Sequence, residues 1–318
     1  MRHDIRLALG SAALIAACPA TALAGEVSPK VVSPTAIELS SMAEITYNST
    51  TGAISTYVVR RLFGPNFTVV PTGVKSGTVS IVTPTLLGSA LVTANLSDAG
   101  HDPVTYGSTT VDSTVVKGLV TASTDPRFKV GLAVVEVHAY SNNFGLNYTE
   151  FGFWSMKQRP KAAVPALVGT FAGPSPGISF KSTMPTSGSA KYSGGAIGVV
   201  SSGGTAGLWE GKLALAANFS ATGGTISGAI TGINVVNAQT DAAVGTVNDL
   251  ELGTASFTKR FFSGAVTAGS NTGTFANLAA GKGVWGGGFY GPSAAEVAGI
   301  LRFSTGTTNV LGSFAGKQ

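Results

Sequence analysis

Three histidines, one cysteine and fifteen acidic residues are the stock from which this chain of 318 residues could build a metal site or a carboxylate or thiol centre. His3 lies in the first few residues. His101 sits in Asp98-Ala99-Gly100-His101-Asp102-Pro103, read as a turn-rich loop, and His138 ends Val134-Val135-Glu136-Val137-His138, read as a strand. Zinc takes three or four ligands in tetrahedral geometry, and two histidines so far apart, without cysteine, offer no such spacing. Asp249 and Glu251 flank Leu250 and share one strand face, but that spacing alone does not make a pair of catalytic carboxylates. Serines are abundant, yet no G-x-S-x-G elbow presents one as a nucleophile. The chain is therefore expected to be neither an enzyme nor a metal protein.

The single thiol, Cys18, belongs to the export signal. Arg2 and Arg6 form a positive start, Leu7 to Ala17 an apolar run, and Ala22-Leu23-Ala24 a small-x-small cleavage site before Gly25. Ile15-Ala16-Ala17-Cys18 also satisfies a bacterial lipobox, in which the thiol carries lipid. Both readings stand. Pro19 and the lack of a Gly/Ser tether after Cys18 favour cleavage after Ala24. The apolar run is too short to span a bilayer, which needs about 20 residues, and no later segment is long enough, so no transmembrane segment is expected in the mature chain.

The hydrophobic content is 44% and the charged content 11%, which excludes a disordered, highly charged chain. Net charge is +5 and unevenly placed: from Asn142 onward there are 11 Lys/Arg against 6 Asp/Glu, and in residues 25–141 there are 7 against 8. No basic stripe is interleaved with aromatics, so nucleic acid is not an expected partner.

The elements that must hold any site are strands. Ile45 to Tyr47, Ile54 to Val59, Thr78 to Val82, Ser89 to Thr93 and Val130 to His138 alternate β-branched and polar residues, with a hairpin loop over Asn48 to Gly52. Pro65, Pro71, Pro84, Pro103 and Pro126 suit edge strands and loops. Of the 43 glycines, 32 fall from Asn142 onward, so the later half is built from sharply bent, closely approaching strands. These features divide the chain into a signal over 1–24, a small antiparallel β domain over 25–141 and a Gly-rich β-barrel over 142–318.

Alternation shows which way the barrel faces. Leu213, Leu215 and Phe219 share one side of a strand, with Ala217 between them, against Lys212, Ala214, Ala216 and Asn218 on the other. Ile226, Gly228 and Ile230 stand likewise against Thr225, Ser227, Ala229 and Thr231. A membrane barrel would put the apolar set outside, so this pattern predicts a water-facing barrel around an apolar interior. Trp285, Phe289, Val297, Leu301, Phe303 and Phe314 are expected at its closing seam.

The chain's end carries a more specific signal. Gly283-Val284-Trp285-Gly286-Gly287-Gly288-Phe289-Tyr290-Gly291-Pro292-Ser293-Ala294-Ala295-Glu296-Val297-Ala298-Gly299, with the closing Gly312-Ser313-Phe314-Ala315-Gly316-Lys317, resembles the end of the transferrin-binding protein B-like β-barrel domain. Met184 to Gly198, including Gly194, resembles that family's early hairpin, and Phe151-Gly152-Phe153-Trp154 its first barrel strand. The motif residues matched are thus Trp154, Gly194, Trp285, Phe289, Gly291, Pro292, Glu296, Gly299 and Phe314. Glu296 is read as capping its own turn in the manner of a capping box.

The resemblance implies an all-β fold in which a handle-like N-terminal domain precedes an eight-stranded antiparallel barrel. It implies a non-enzymatic surface or secreted protein of a Gram-negative bacterium that captures an iron source, either a host iron-carrying protein or haem, alongside an outer-membrane receptor or translocator. Haem ligation through His101 or His138 follows only from that resemblance. The rival reading is an envelope protein that binds a host factor and no small ligand.

Overall fold

The computed structural model describes residues 39–48, 54–61, 67–73, 76–85, 88–106, 108–158, 163–175, 183–203, 205–238 and 241–318. The export signal, Cys18 and the loop after Asn48 lie outside them.

Ten strands form the first sheet: β1 (Leu39–Asn48), β2 (Ile54–Arg61), β3 (Phe67–Gly73), β4 (Ser76–Thr85), β5 (Gly88–Leu96), β6 (Asp98–Tyr106), β7 (Thr109–Ser123), β8 (Ala133–Ala139), β9 (Thr149–Gln158) and β10 (Ala163–Pro174). Their order is β2-β1-β10-β9-β8-β7-β5-β4-β3, with β6 paired to β7 beside this path. Nine follow in the second sheet: β11 (Gly188–Ser202), β12 (Thr205–Ser220), β13 (Gly223–Asn237), β14 (Ala243–Thr246), β15 (Leu250–Phe257), β16 (Phe261–Ala268), β17 (Lys282–Tyr290), β18 (Glu296–Ser304) and β19 (Thr308–Lys317). Their order is β12-β11-β19-β18-β17-β16-β15-β13-β14, and a further β12–β13 pairing closes eight of them into an antiparallel barrel with β14 outside the ring. Closure removes the free edges that an open sheet would expose.

The barrel interior is the one that alternation predicts. Leu213, Leu215, Ala217, Phe219, Ile226 and Ile230 point inward and are buried. At the seam, Trp285, Phe289, Val297, Leu301, Phe303 and Phe314 are at most 1% exposed. Phe289 is the hub of an aromatic cluster, its ring lying 4.9 Å from Phe257, 5.3 Å from Phe262 and 5.5 Å from Phe219. Such tilted and edge-on contacts add to the area term of burial. Gly299 admits this packing, because a Cβ there would overlap the Phe314 ring and the Gly286 carbonyl.

Two local expectations are corrected. Asp98 to Pro103 is not a loop but part of β6, an edge strand bonded to β7 from Asp98↔Lys117 to Tyr106↔Thr109. Pro103 is compatible with pairing there because a strand with one bonded neighbour can spare a backbone donor. The strand expected from Val130 begins only at Ala133, because Gly131 takes φ 71 and breaks the extended run.

A third correction concerns Phe151-Gly152-Phe153-Trp154, expected as the first barrel strand. It lies in β9, in the middle of the ten-stranded sheet, between β8 and β10. This strand is covered on both sides: Trp154 and Met156 join a core with Val79, Val92, Val135 and Leu167, while Phe151 and Phe153 face the barrel. A strand buried on two faces reads as one continuous apolar run, and that pattern does not say which sheet owns it.

The barrel's exterior is accordingly not polar all round. Ile197, Val199, Leu208, Val236, Ala298, Ile300 and Ala315 point out of the barrel wall and pack on Phe151, Phe153, Val168 and Ala172 of the first sheet. The two sheets therefore share one apolar core in addition to each having its own.

Candidate functional site

The turn from β17 to β18 holds two of the three non-glycine residues that take a positive φ among the described residues. Gly291 has φ 74, and a Cβ there would stand 2.5 Å from the Tyr148 ring. Ser293 (φ 52) and Ala294 (φ 56) also take left-handed conformations, although neither is glycine. Such geometry costs roughly 1–3 kcal/mol per residue and persists only where neighbours fix it. Here the Tyr192 hydroxyl donates to the Ala294 carbonyl at 2.8 Å, the Gln318 side-chain amide donates to the same oxygen at 2.9 Å, and the Gln318 backbone N–H donates to Ala295 at 3.1 Å. Burial pushes the Tyr192 hydroxyl up to about 12, so it remains a donor at neutral pH.

This turn delivers Glu296 to the boundary between the sheets. Its carboxylate accepts from the backbone N–H of Asn147 at 2.6 Å, that of Tyr148 at 3.0 Å and the Thr149 hydroxyl at 2.7 Å. Glu296 is 2% exposed and Thr149 fully buried. The expected capping box is absent: the short 3-10 turn Pro292–Ala294 has no side-chain cap, and the carboxylate clasps the entry to β9 instead. Charge-assisted bonds of this kind are roughly twice as strong as neutral ones. The Ser313 hydroxyl adds a second polar tie, donating to the Gly152 carbonyl at 2.8 Å, and Lys317 Nζ donates to Gly145 O at 3.1 Å. Beside the clasp lies an open cleft of about 240 Å³ lined by Asn147, Tyr148, Pro292, Ser293, Lys317 and Gln318.

Glu296→Gln keeps the shape but turns one acceptor into an NH₂ facing donors. It is expected to lower stability by about 2 to 3 kcal/mol, read as a lower urea midpoint together with faster amide exchange at Asn147 and Tyr148. Unchanged exchange at those two amides would show that the clasp does not hold the boundary.

The two histidines are placed apart. His101 on β6 is exposed, with Nδ1 2.9 Å from Asp112 Oδ2. His138 on β8 is 2% exposed, its ring stacked on Phe153 at 4.4 Å, with Nδ1 3.0 Å from the Ser113 hydroxyl and Nε2 3.5 Å from Glu136 Oε1. His101 stands opposite Thr114 and Ala139, whereas His138 stands opposite Val115 and Phe153, so alternation puts the two rings on opposite faces of the sheet. They cannot bracket one haem iron. Among the described residues no cluster of three His, Cys, Asp or Glu side chains is placed to hold a metal ion.

Of the motif residues, Gly194, Trp285, Phe289, Gly291, Pro292, Glu296, Gly299 and Phe314 come together in the barrel and its closing turn, while Trp154 belongs to the core of the first sheet. The Asn147 to Thr149 donors were not anticipated, since backbone N–H groups carry no sequence signal. Also unanticipated was a set of exposed apolar residues, Leu91, Leu119, Val130 and Leu132, on the first sheet.

Residues 182–301 match the family model described as factor H binding protein, C-terminal. That match runs from before β11 into β18 of the closed ring and leaves β19 outside it, so over these residues the chain is similar to that family. No curated protein sequence matches the chain. Solved structures similar to it include a point mutant of transferrin binding protein B from Haemophilus parasuis, 15% identical, covering 91% of this chain and 76% of that one with a TM-score of 0.37. Transferrin binding protein B from Neisseria meningitidis is 12% identical, with 89% and 77% covered and a TM-score of 0.33. A structure described as a surface lipoprotein is 13% identical, with 88% and 98% covered and a TM-score of 0.36.

Proposed function

We propose that this chain is a non-enzymatic binding protein, exported to the outer-membrane surface or secreted, that uses a rigid barrel and its attached sheet as a platform for a host protein. The observation that carries this reading is the factor H binding protein match over most strands of a closed barrel. Recognition on such a scaffold falls to loops and exposed faces, which can vary without cost to the core. No helix among the described residues is long and apolar enough to cross a membrane.

The first occupant to test is an iron source, a host iron-carrying protein presented with the help of an outer-membrane receptor; haem is the small-ligand form of the same idea. The second reading, a host regulatory factor with no small ligand, is favoured by the description of the matching family. Deleting the gene in the source organism separates them. The iron reading expects slower growth on iron-loaded transferrin or haem as sole iron source and normal growth on a ferric salt. A Soret band on titrating haem into the purified chain would single out haem. Unchanged growth on every iron source, with less factor H on the cell surface, would overturn iron capture and support the second reading.

A further inference from the structure

The first sheet carries large apolar side chains that are exposed among the described residues. Among the described residues five large hydrophobic side chains are exposed, and four of them, Leu91 (46%), Leu119 (42%), Val130 (56%) and Leu132 (45%), lie on β5, β7 and the β7–β8 loop. The Gly131 N–H donates to the Val120 carbonyl at 2.9 Å, which holds Val130 and Leu132 beside Leu119. Leu91 continues the surface at the far end of β7, where its carbonyl accepts from Thr124 N–H at 2.9 Å. The patch is thus built on bonded backbone.

Two observations say what would cover it. The first is continuity: register puts Leu119, Val134 and Lys157 in one row, two residues along from the row of Lys117, Glu136 and Ser155, and four from that of Val115, His138 and Phe153. Side chains two apart share a face. Phe153 already packs on the barrel wall, so the patch extends the face that makes the protein–protein-like contact between the two sheets. The second is charge. Among the described side chains of this end, Asp125 is buried and paired with Arg127 at 2.7 Å and Glu136 is buried, whereas Lys129 is exposed and Lys157 is half-buried at the rim. The solvent-facing charge around the apolar centre is therefore basic. A second copy of this chain would meet like charge there, and a membrane-seated face would carry the interfacial aromatics that this one lacks, Phe128 being turned into the core.

We propose that this face is a docking surface for the host protein, fitting an apolar patch rimmed by acidic residues; this rests on the reading of the chain as a host-protein binder. Apolar centres inside a charged rim are the usual anatomy of such contacts, and the rim chiefly speeds encounter.

The test uses the full chain and two variants, Val130→Asp, which breaks the centre, and Lys129→Glu, which reverses the rim. The anionic apolar dye 1-anilinonaphthalene-8-sulfonate reads the patch alone. Its fluorescence should rise with the folded wild type and fall at least threefold with Val130→Asp at an unchanged melting midpoint. Purified factor H and iron-loaded transferrin then read the occupant, and whichever binds should bind at least tenfold more weakly to Val130→Asp, with Lys129→Glu lowering the association rate. Dye or host-protein binding unchanged in both variants overturns the patch and leaves the general function standing. A wild type that takes the dye but neither host protein overturns the host-protein reading and the occupant with it. Sedimentation with phosphatidylserine vesicles that Val130→Asp abolishes assigns a membrane and overturns the protein occupant.

Discussion

Removing residues 308–318 is expected to leave a chain whose barrel has no cooperative melting transition. The segment is β19, which bonds β18 on one side from Glu296↔Lys317 to Ser304↔Asn309 and β11 on the other from Ser193↔Lys317 to Ser202↔Thr308. Its loss opens the ring into a sheet with two unpaired edges and uncovers the interior that Val310 and Phe314 help to fill. It also removes the Ser313 tie to Gly152, the Lys317 contact with Gly145 and the Gln318 bonds that hold the strained turn before Glu296. Near-ultraviolet circular dichroism against temperature checks this. A soluble truncated chain with a sharp transition and native aromatic signal would contradict the assignment of β19.

Trp285→Ala is the point substitution expected to cost most, roughly 3 to 5 kcal/mol. The side chain is fully buried between Phe262, at 5.1 Å, and Phe314, at 5.9 Å, and its indole N–H donates to the Gly253 carbonyl at 3.1 Å. Alanine leaves a cavity and an unpaired carbonyl together. The wall nearest the indole nitrogen is glycine: a Cβ on Gly264 would stand 2.7 Å from it, so no side chain at that position can collapse into the space. Urea denaturation gives the number directly. An unchanged midpoint with lost partner binding would instead make Trp285 a ligand platform.

The barrel was legible because its strands have one dry face and one wet one. Lys212 to Phe219 states its own orientation by alternation, and glycine beside an aromatic residue marks where backbones approach. The first sheet was harder to read, for a physical reason. Its central strands are buried on both faces, so Phe151 to Trp154 has no alternation to assign it to a sheet, and its edge strand β6 contains a proline and polar residues that mimic a loop. Glu296 shows a further limit. Its motif places it at a turn, but its partners, two backbone N–H groups just before β9 and Thr149 at the start of β9, are 147 to 149 positions away in sequence. The exposed patch escaped notice because Val130-Gly131-Leu132-Ala133-Val134 reads as a single buried strand unless Gly131 is allowed its left-handed turn.

The central claim is that the folded chain binds a host protein, and surface plasmon resonance with the full chain over separately immobilised iron-loaded transferrin and factor H tests it most directly. Saturable binding to one of them, with a Kd of about 1 μM or tighter, is the predicted result, and Glu296→Gln should weaken it as the boundary between the sheets loosens. No saturable binding to either surface by a chain that melts cooperatively would contradict the claim.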